Sequence, residues 1–363
     1  MKVQVPKTSL ADALHNVERI IPTRSSNPGL NLLTIDLLGD ALRFSGTNLD
    51  LDVETTVAAD VRGEGSLALP AQVFGQVVRA LPGDVVDMEV DDTELRIASA
   101  SFATRLQLVD PANAPKVSFP ETYEGRLPAS ALVEALSAVR YAAAVAEYQA
   151  IFRGVKLELA DQGSRAVATD GFRLAYHDLD APSGLEADLI VPARSVDEIV
   201  RLLAGDGDVD LVSDGAQLSL RSDDVRLNVK LMEGSFPDYR RVIPSTFPVA
   251  ITLDAATLRE AVTRVAVMAD KTANNRVDLF VKDGTLQITA EGSYGRSQEA
   301  IDVQQEGSDA EIALAYNAKY LTDALAPLGG QLRASFSGPT SPSVLGDPDD
   351  PRYLAMVVPL RTG

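Results

Sequence analysis

Apolar positions fall into one arrangement that returns six times along the chain. A short alternating strand leads to a small or polar residue. Apolar positions three and four apart then follow for about ten residues, the spacing of one helix face. The first copy is Val3–Val5, then Leu10, Ala13, Leu14 and Val17. The second is Leu67–Leu69, then Val73, Phe74, Val77, Val78 and Leu81. The third is Gly125–Leu127, then Leu132, Val133, Leu136 and Val139. Leu189–Val191, Ile251–Leu253 and Ile312–Leu314 open the other three. Helices are therefore predicted to start near residues 8, 70, 129, 192, 254 and 317.

Between the helices the apolar period falls to two, the mark of strands, with glycine at the turns. Leu32–Leu37, Leu42–Ser45 and Leu51–Val57 follow the first helix. Gly154–Leu159, Arg165–Ala168 and Phe172–His177 follow the third. Val277–Val281, Leu286–Thr289 and Gln298–Val303 follow the fifth. The unit is one strand, one helix and three strands in about 60 residues, and two alternating versions make a repeat of about 120. This predicts an α+β protein of three tandem domains, residues 1–120, 125–246 and 249–363, each of two βαβββ units. The boundaries lie in Val117-Ser118-Phe119-Pro120 and Val242-Ile243-Pro244-Ser245.

Composition removes most chemistry. The chain has 363 residues, no Cys and two His. No disulfide, thiolate nucleophile or Cys-ligated metal is available. His15 and His177 each lack a second histidine for a metal, and no phosphate-cradling or nucleophile-elbow motif occurs. No cofactor and no metal are expected. Adjacent acids at Asp91-Asp92, Asp223-Asp224 and Asp347–Asp350 lie beside turn residues and read as solvated loops. A hydrolase working through Asp223 or Asp349 is the enzymatic alternative. No apolar run reaches the ~18 residues of a membrane span, and the N-terminus lacks a signal-peptide core, so a cytoplasmic protein is expected.

Lys and Arg number 33 against 52 Asp and Glu, a net charge of −19 that argues against nucleic acid. The distribution changes that reading. The six helical windows hold eight cations and eight anions, so the excess acid lies outside the helices. Arg19, Arg79, Arg140 and Arg264 fall near helix C-termini, where they also complement the dipole. Suppose the helices line a ring about 10 Å apart. Six leave a hole of about 9 Å, too narrow for a duplex, and twelve leave about 28 Å. Two chains supply twelve.

Three stretches resemble one family. They are Ala168-Thr169-Asp170-Gly171-Phe172-Arg173-Leu174-Ala175, Gly234-Ser235-Phe236-Pro237-Asp238-Tyr239-Arg240-Arg241-Val242-Ile243-Pro244 and Tyr353-Leu354-Ala355-Met356-Val357-Val358-Pro359-Leu360-Arg361. With Gly46–Asp50 and Val191–Arg194 they resemble the bacterial sliding clamp, the DNA polymerase III beta subunit family, over the full chain. The resemblance implies three clamp domains forming half of a closed ring, with helices inside and sheets outside. It implies a processivity factor without enzymatic activity, a homodimer around duplex DNA of any sequence. The implied partners are the DNA polymerase III alpha subunit and an ATP-driven clamp loader (its delta subunit). Other polymerases and repair proteins would dock through short peptides. A monomeric clamp-like scaffold is the alternative among binding proteins.

Carried over residue by residue, the resemblance implies a peptide pocket of Phe152, Thr169, Gly171, Phe172, Arg173, Leu174, Pro237, Arg241, Val242, Asn317, Tyr320, Ser343, Met356, Val357, Val358, Pro359, Leu360 and Arg361. Leu174, Val242, Val357 and Val358 would form an apolar slot, and Arg173 and Arg241 would bind carbonyls or acids. Arg19, Arg24, Arg79, Arg140, Arg194, Arg201, Arg264 and Lys271 would face DNA. The strand Phe102–Val109 would pair with the other subunit, with Leu106 and Leu108 near Val267 and Met268. Phe172 stands where the family often has His, Phe152 where it often has Leu, and Gln149 at an often basic position.

Overall fold

The computed structural model describes residues 1–91, 93–146 and 150–361. Asp92 of the Asp91-Asp92 pair, Gln149, and the terminal Thr362 and Gly363 lie outside the described residues. All six helices stand where the periodicity placed them. In the first third, β1 (Lys2–Pro6) leads into α1 (Lys7–Glu18), followed by β2 (Leu32–Leu38), β3 (Ala41–Thr47), β4 (Leu51–Ala58) and a short β5 (Asp60–Arg62). Next, β6 (Gly65–Pro70) leads into α2 (Ala71–Ala80), then β7 (Val85–Val90), β8 (Glu94–Ser99) and β9 (Phe102–Gln107).

The second third repeats this order. β10 (Gly125–Pro128) and α3 (Ala129–Arg140) precede β11 (Gly154–Leu159), β12 (Ser164–Thr169) and β13 (Arg173–Leu179). β14 (Ala187–Pro192) and α4 (Ala193–Leu202) precede β15 (Asp208–Ser213), β16 (Gln217–Arg221) and β17 (Val225–Lys230). In the last third, β18 (Val249–Asp254) and α5 (Ala255–Val265) precede β19 (Arg276–Lys282), β20 (Thr285–Gly292), β21 (Gly295–Asp302) and a short β22 (Gln304–Gly307). β23 (Glu311–Asn317), α6 (Ala318–Leu325), β24 (Gln331–Phe336), β25 (Ser343–Gly346) and β26 (Tyr353–Val357) complete it.

Helix starts follow simple capping chemistry. Pro6 and Pro70 enter α1 and α2 in extended conformation. The Asp254 carboxylate accepts the Thr257 N–H at 2.7 Å, and the Asn317 side chain accepts the Lys319 N–H at 2.9 Å.

The sheets show how the two units of a repeat combine. Each leading strand joins the other half of its repeat. β6 pairs with β2, giving β6-β2-β3-β4, while β1 pairs with β7, giving β1-β7-β8-β9. The same trade gives β14-β11-β12-β13 with β10-β15-β16-β17, and β23-β19-β20-β21 with β18-β24-β25-β26. Each helix therefore links two sheets. An antiparallel pair needs its partner strand for backbone hydrogen bonds. Half a repeat would leave that strand unpaired, so the cooperative block is the longer period.

The chain packs as two compact units. One comprises residues 1–130 with 198–231, and the other 131–197 with 232–363. Within the first, β4 pairs with β17 from Val225↔Thr55 to Val229↔Leu51, fusing two four-stranded sheets into one of eight. Within the second, β13 pairs with β26 from Arg173↔Val357 to His177↔Tyr353, in a sheet of nine.

In the first unit α1 packs on α2 and β4. Leu10, Leu14, Val17, Phe74 and Val78 are buried there. Gly75 permits the close approach, since a Cβ on it would sit 2.4 Å from the Glu18 carboxylate, which pairs with Arg79. Phe74 is fully buried. Phe74→Ala is expected to cost about 3–5 kcal/mol in urea unfolding monitored by circular dichroism.

Candidate functional site

The chemistry-bearing turn is Thr169–Leu174, between β12 and β13. The Thr169 hydroxyl accepts the Gly171 N–H at 3.1 Å and donates to the Arg173 carbonyl at 2.7 Å. Asp170 Oδ1 accepts the N–H groups of Phe172 and Arg173 at 2.9 and 3.0 Å. Gly171 sits at φ +88°, a left-handed conformation that favours glycine. The turn lifts Phe172 outward, leaving it 56% exposed. Beyond it, Leu174 lies opposite Met356 of β26. The Val358 N–H donates to the Phe172 carbonyl at 2.9 Å, and the Leu360 N–H to the Ala315 carbonyl at 2.7 Å. The tail is thus held at both ends of Pro359.

Val167, Leu174, Tyr239 and Met356 form one buried apolar cluster, with Tyr176, Phe236, Ile243 and Leu354 packed against it. Tyr239 begins the 3-10 turn Tyr239–Val242. Its phenol donates to Glu158 Oε2 at 3.1 Å, and burial raises its pKa above the ordinary phenol value. On the same turn Val242 is 51% exposed. The Arg241 side chain is 84% exposed, 2.8 Å from Asp238. Phe172, Val242 and Arg241, all exposed, lie within three residues in sequence of members of this apolar cluster.

Arg173 has partners within the chain. Its side chain is nearly buried. Nε donates to Asp170 Oδ2 at 3.0 Å and Nη1 to Asp323 Oδ2 at 2.7 Å. The guanidinium also lies 4.3 Å from the Tyr320 ring centre. Arg173 therefore ties β13 to α6. Asp323→Ala would leave a buried cation half-paired, and is expected to lower stability by about 2–3 kcal/mol in chemical denaturation.

Comparison with known proteins decides the family. Sequence profiles of the DNA polymerase III beta subunit match end to end, the N-terminal domain at residues 1–117, the central domain at 126–238 and the C-terminal domain at 240–361. The chain belongs to the DNA polymerase III beta subunit family. It is 30% identical to the beta sliding clamp of Caulobacter vibrioides, covering 99% of this chain and all of that one. Among solved structures it is similar to the Bacillus subtilis DNA polymerase sliding clamp (TM-score 0.94) and to the Pseudomonas aeruginosa sliding clamp bound to griselimycin (TM-score 0.93). Each is 26% identical, and each comparison covers both chains in full.

The chain is thus a sliding clamp of three clamp domains, a processivity factor of DNA replication and not an enzyme. No helix of the described residues is long and apolar enough to cross a membrane, and no group of three or more His, Cys, Asp or Glu among them could hold a metal.

The clamp residues expected in a pocket fall into several places. Leu174 and Met356 are buried in the apolar floor, Val357 is buried on the other face of β26, and Val358 is half-buried. Pro359 is buried, Leu360 half-buried, and Pro237 and Arg361 exposed. Asn317 caps α6, Tyr320 meets Arg173, and the buried Ser343 hydroxyl bonds that of Tyr316. Phe152 lies in a 3-10 turn just before β11, two strands from β13 in the sheet. Sequence reasoning missed Val167, Tyr176, Tyr239, Phe236 and Asp323. Phe236 and Tyr239 stood inside the quoted motif, and Asp323 lies four residues after Lys319 on α6.

The basic residues are largely ion-paired. Arg19 meets Glu198 at 2.9 Å, Arg79 meets Glu18 at 2.6 Å, and Arg140 meets Asp197 at 2.8 Å. Arg201 holds Glu198 and Asn16, and Arg264 holds Glu299 at 2.7 Å. Arg24, Arg194 and Lys271 are exposed.

All four sheets are open among the described residues, and two of their edge strands carry the expected contact regions. β9 closes one edge of β5-β1-β7-β8-β9, and β21 one edge of β21-β20-β19-β23. The expected strand Phe102–Val109 stops at Gln107. Leu108 still donates to the Thr93 carbonyl beside β8, and Val109 bridges Ala68 of β6. Leu106 is half-buried opposite Leu95. The turn Ala266–Met268 packs against β20 and β21, with Val267 75% exposed.

Proposed function

We propose that two copies of this chain close head to tail into a ring around duplex DNA, the free edge of β9 in one pairing with the free edge of β21 in the other. The observation that supports this most is the pair of open edges, each beside its apolar residues, Leu106 and Leu108 or Val267 and Met268. Unpaired edges are an aggregation liability unless something covers them. Head-to-tail pairing twice over covers both of these edges and closes a ring. Domains would span residues 1–120, 125–246 and 249–363.

Arg19, Arg24, Arg79, Arg140, Arg194, Arg201, Arg264 and Lys271 would face the duplex in the cytoplasm, through phosphate contacts that carry no sequence information. Partners would dock a short peptide on the Leu174–Met356 floor, with Phe172, Val242 and Arg241 as its rim. They would include the DNA polymerase III alpha subunit, the clamp-loader delta subunit, and other polymerases and repair proteins.

Topology supplies the test. Loaded onto nicked circular DNA by a clamp loader with ATP, the protein is expected to stay bound through gel filtration, and cutting the circle is expected to release it. Equal retention on circular and linear DNA would mean that contacts, not encirclement, hold it.

A further inference from the structure

The turn Ser213–Gln217, inside one four-stranded sheet, repeats the bonds of the docking turn, and a further copy lies at the other seam between two such sheets. At the β4–β17 seam, Thr47 Oγ1 accepts the Leu49 N–H at 2.9 Å, as Thr169 accepts that of Gly171. Asn48 Oδ1 accepts the N–H groups of Asp50 and Leu51 at 3.0 and 2.8 Å, as Asp170 accepts those of Phe172 and Arg173. Leu49 takes φ +75° where Gly171 takes +88°. The Lys230 N–H donates to the Asp50 carbonyl at 2.9 Å, as that of Val358 donates to Phe172. Even the linker repeats, Ser118-Phe119-Pro120 standing for Ser235-Phe236-Pro237.

The floors are opposite in chemistry. Strand register aligns them rung by rung. Leu174, Met356 and Val344 occupy one rung at β13–β26–β25. Asp52, Asn228 and Ser219 occupy the same rung at β4–β17–β16. On the next rung, Val167, Tyr176 and Leu354 correspond to Ser45, Glu54 and Arg226. The polar floor is internally bonded. Asn228 Nδ2 donates to Asp52 Oδ2 at 3.1 Å and to the Ser118 carbonyl at 2.9 Å. Ser219 donates to Asn228 Oδ1 at 2.8 Å, and Arg226 pairs with Glu54 at 3.5 Å. A leucine or phenylalanine laid on this surface would strip water from a carboxylate and gain no apolar partner.

We propose that Asp52, Ser219 and Asn228 are specificity determinants that close the β4–β17 seam to partner peptides. Each chain then takes one peptide although both seams between its four-stranded sheets carry the docking backbone. This rests on the docking reading above. Rejection is built into the floor, which is one of the two ways a surface discriminates.

The test is a calorimetric titration of the full chain with a synthetic peptide carrying Leu, Phe and one Asp. The unaltered protein is expected to bind one peptide per chain. The variant Asp52→Leu/Ser219→Val/Asn228→Met is expected to bind two, the second within about 100-fold of the first. Ending that variant at Val357 is expected to leave only the new site. One peptide per chain for both full-length proteins overturns the proposal alone. No binding to the unaltered protein overturns the docking reading and this one with it. Should the triple variant fail to fold, Asp52→Leu alone is read the same way. It keeps the Ser219–Asn228 hydrogen bond, and a second bound peptide supports the proposal while a single one overturns it.

Discussion

Leu106→Asp combined with Val267→Asp is expected to convert the clamp from a dimer to a 38.6 kDa monomer in light scattering at micromolar concentration. Both residues sit at the open edges assigned to the ring seam, Leu106 half-buried on β9 and Val267 exposed beside β21. Neither change enters the core of its own subunit. Each puts a carboxylate where an apolar contact would form, and a buried charge without a partner costs several kcal/mol. The two together are expected to weaken association by at least ~1,000-fold. Retention on circular DNA should vanish with it, since an open half-ring has no topological hold. A variant that still weighed twice the chain would place the subunit contact elsewhere.

The second large effect concerns the tail. Ending the chain at Val357 is expected to abolish peptide docking, a loss of ~100-fold or more in fluorescence anisotropy, while the dimer survives. The cut must follow Val357, because that residue is buried and lies opposite both Arg173 and Ser343. Val358–Arg361 belong to no strand, and the Phe172 and Ala315 carbonyls hold the N–H groups of Val358 and Leu360. Arg241→Ala is expected to cost less, ~10-fold, because that side chain is solvated and already spends part of its charge on Asp238. Loss of the dimer on truncation would make the tail interfacial.

The periodic part of the fold was legible because helix and strand faces impose different periods on apolar residues. Leu10, Leu14 and Val17 on α1, or Leu258, Val262 and Val265 on α5, announce a buried face with no tertiary information. The exchange of β1 and β6 was not legible. A strand's alternation says which face is buried, not which neighbour supplies its hydrogen bonds. The candidate site was half legible. Thr169, Asp170 and Gly171 are chosen by the turn itself, so their identities point to it. The role of Arg173 was hidden, since Asp323 is 150 residues away in sequence and an arginine on a strand usually signals exposure. The net charge misled in the same way, because it adds the acids of strands and loops to the near-neutral helices.

The ion-paired arginines have a mechanical meaning for the proposed ring. Arg19, Arg79, Arg140, Arg201 and Arg264 each have a carboxylate of their own protein to return to when a phosphate moves away. Letting go of DNA then does not leave a bare cation, and taking hold of it means giving up a partner. The energy along the duplex is correspondingly shallow between one phosphate and the next. Such a lining would have low friction, so the proposed ring would diffuse along DNA with little drag while its closure alone prevents escape.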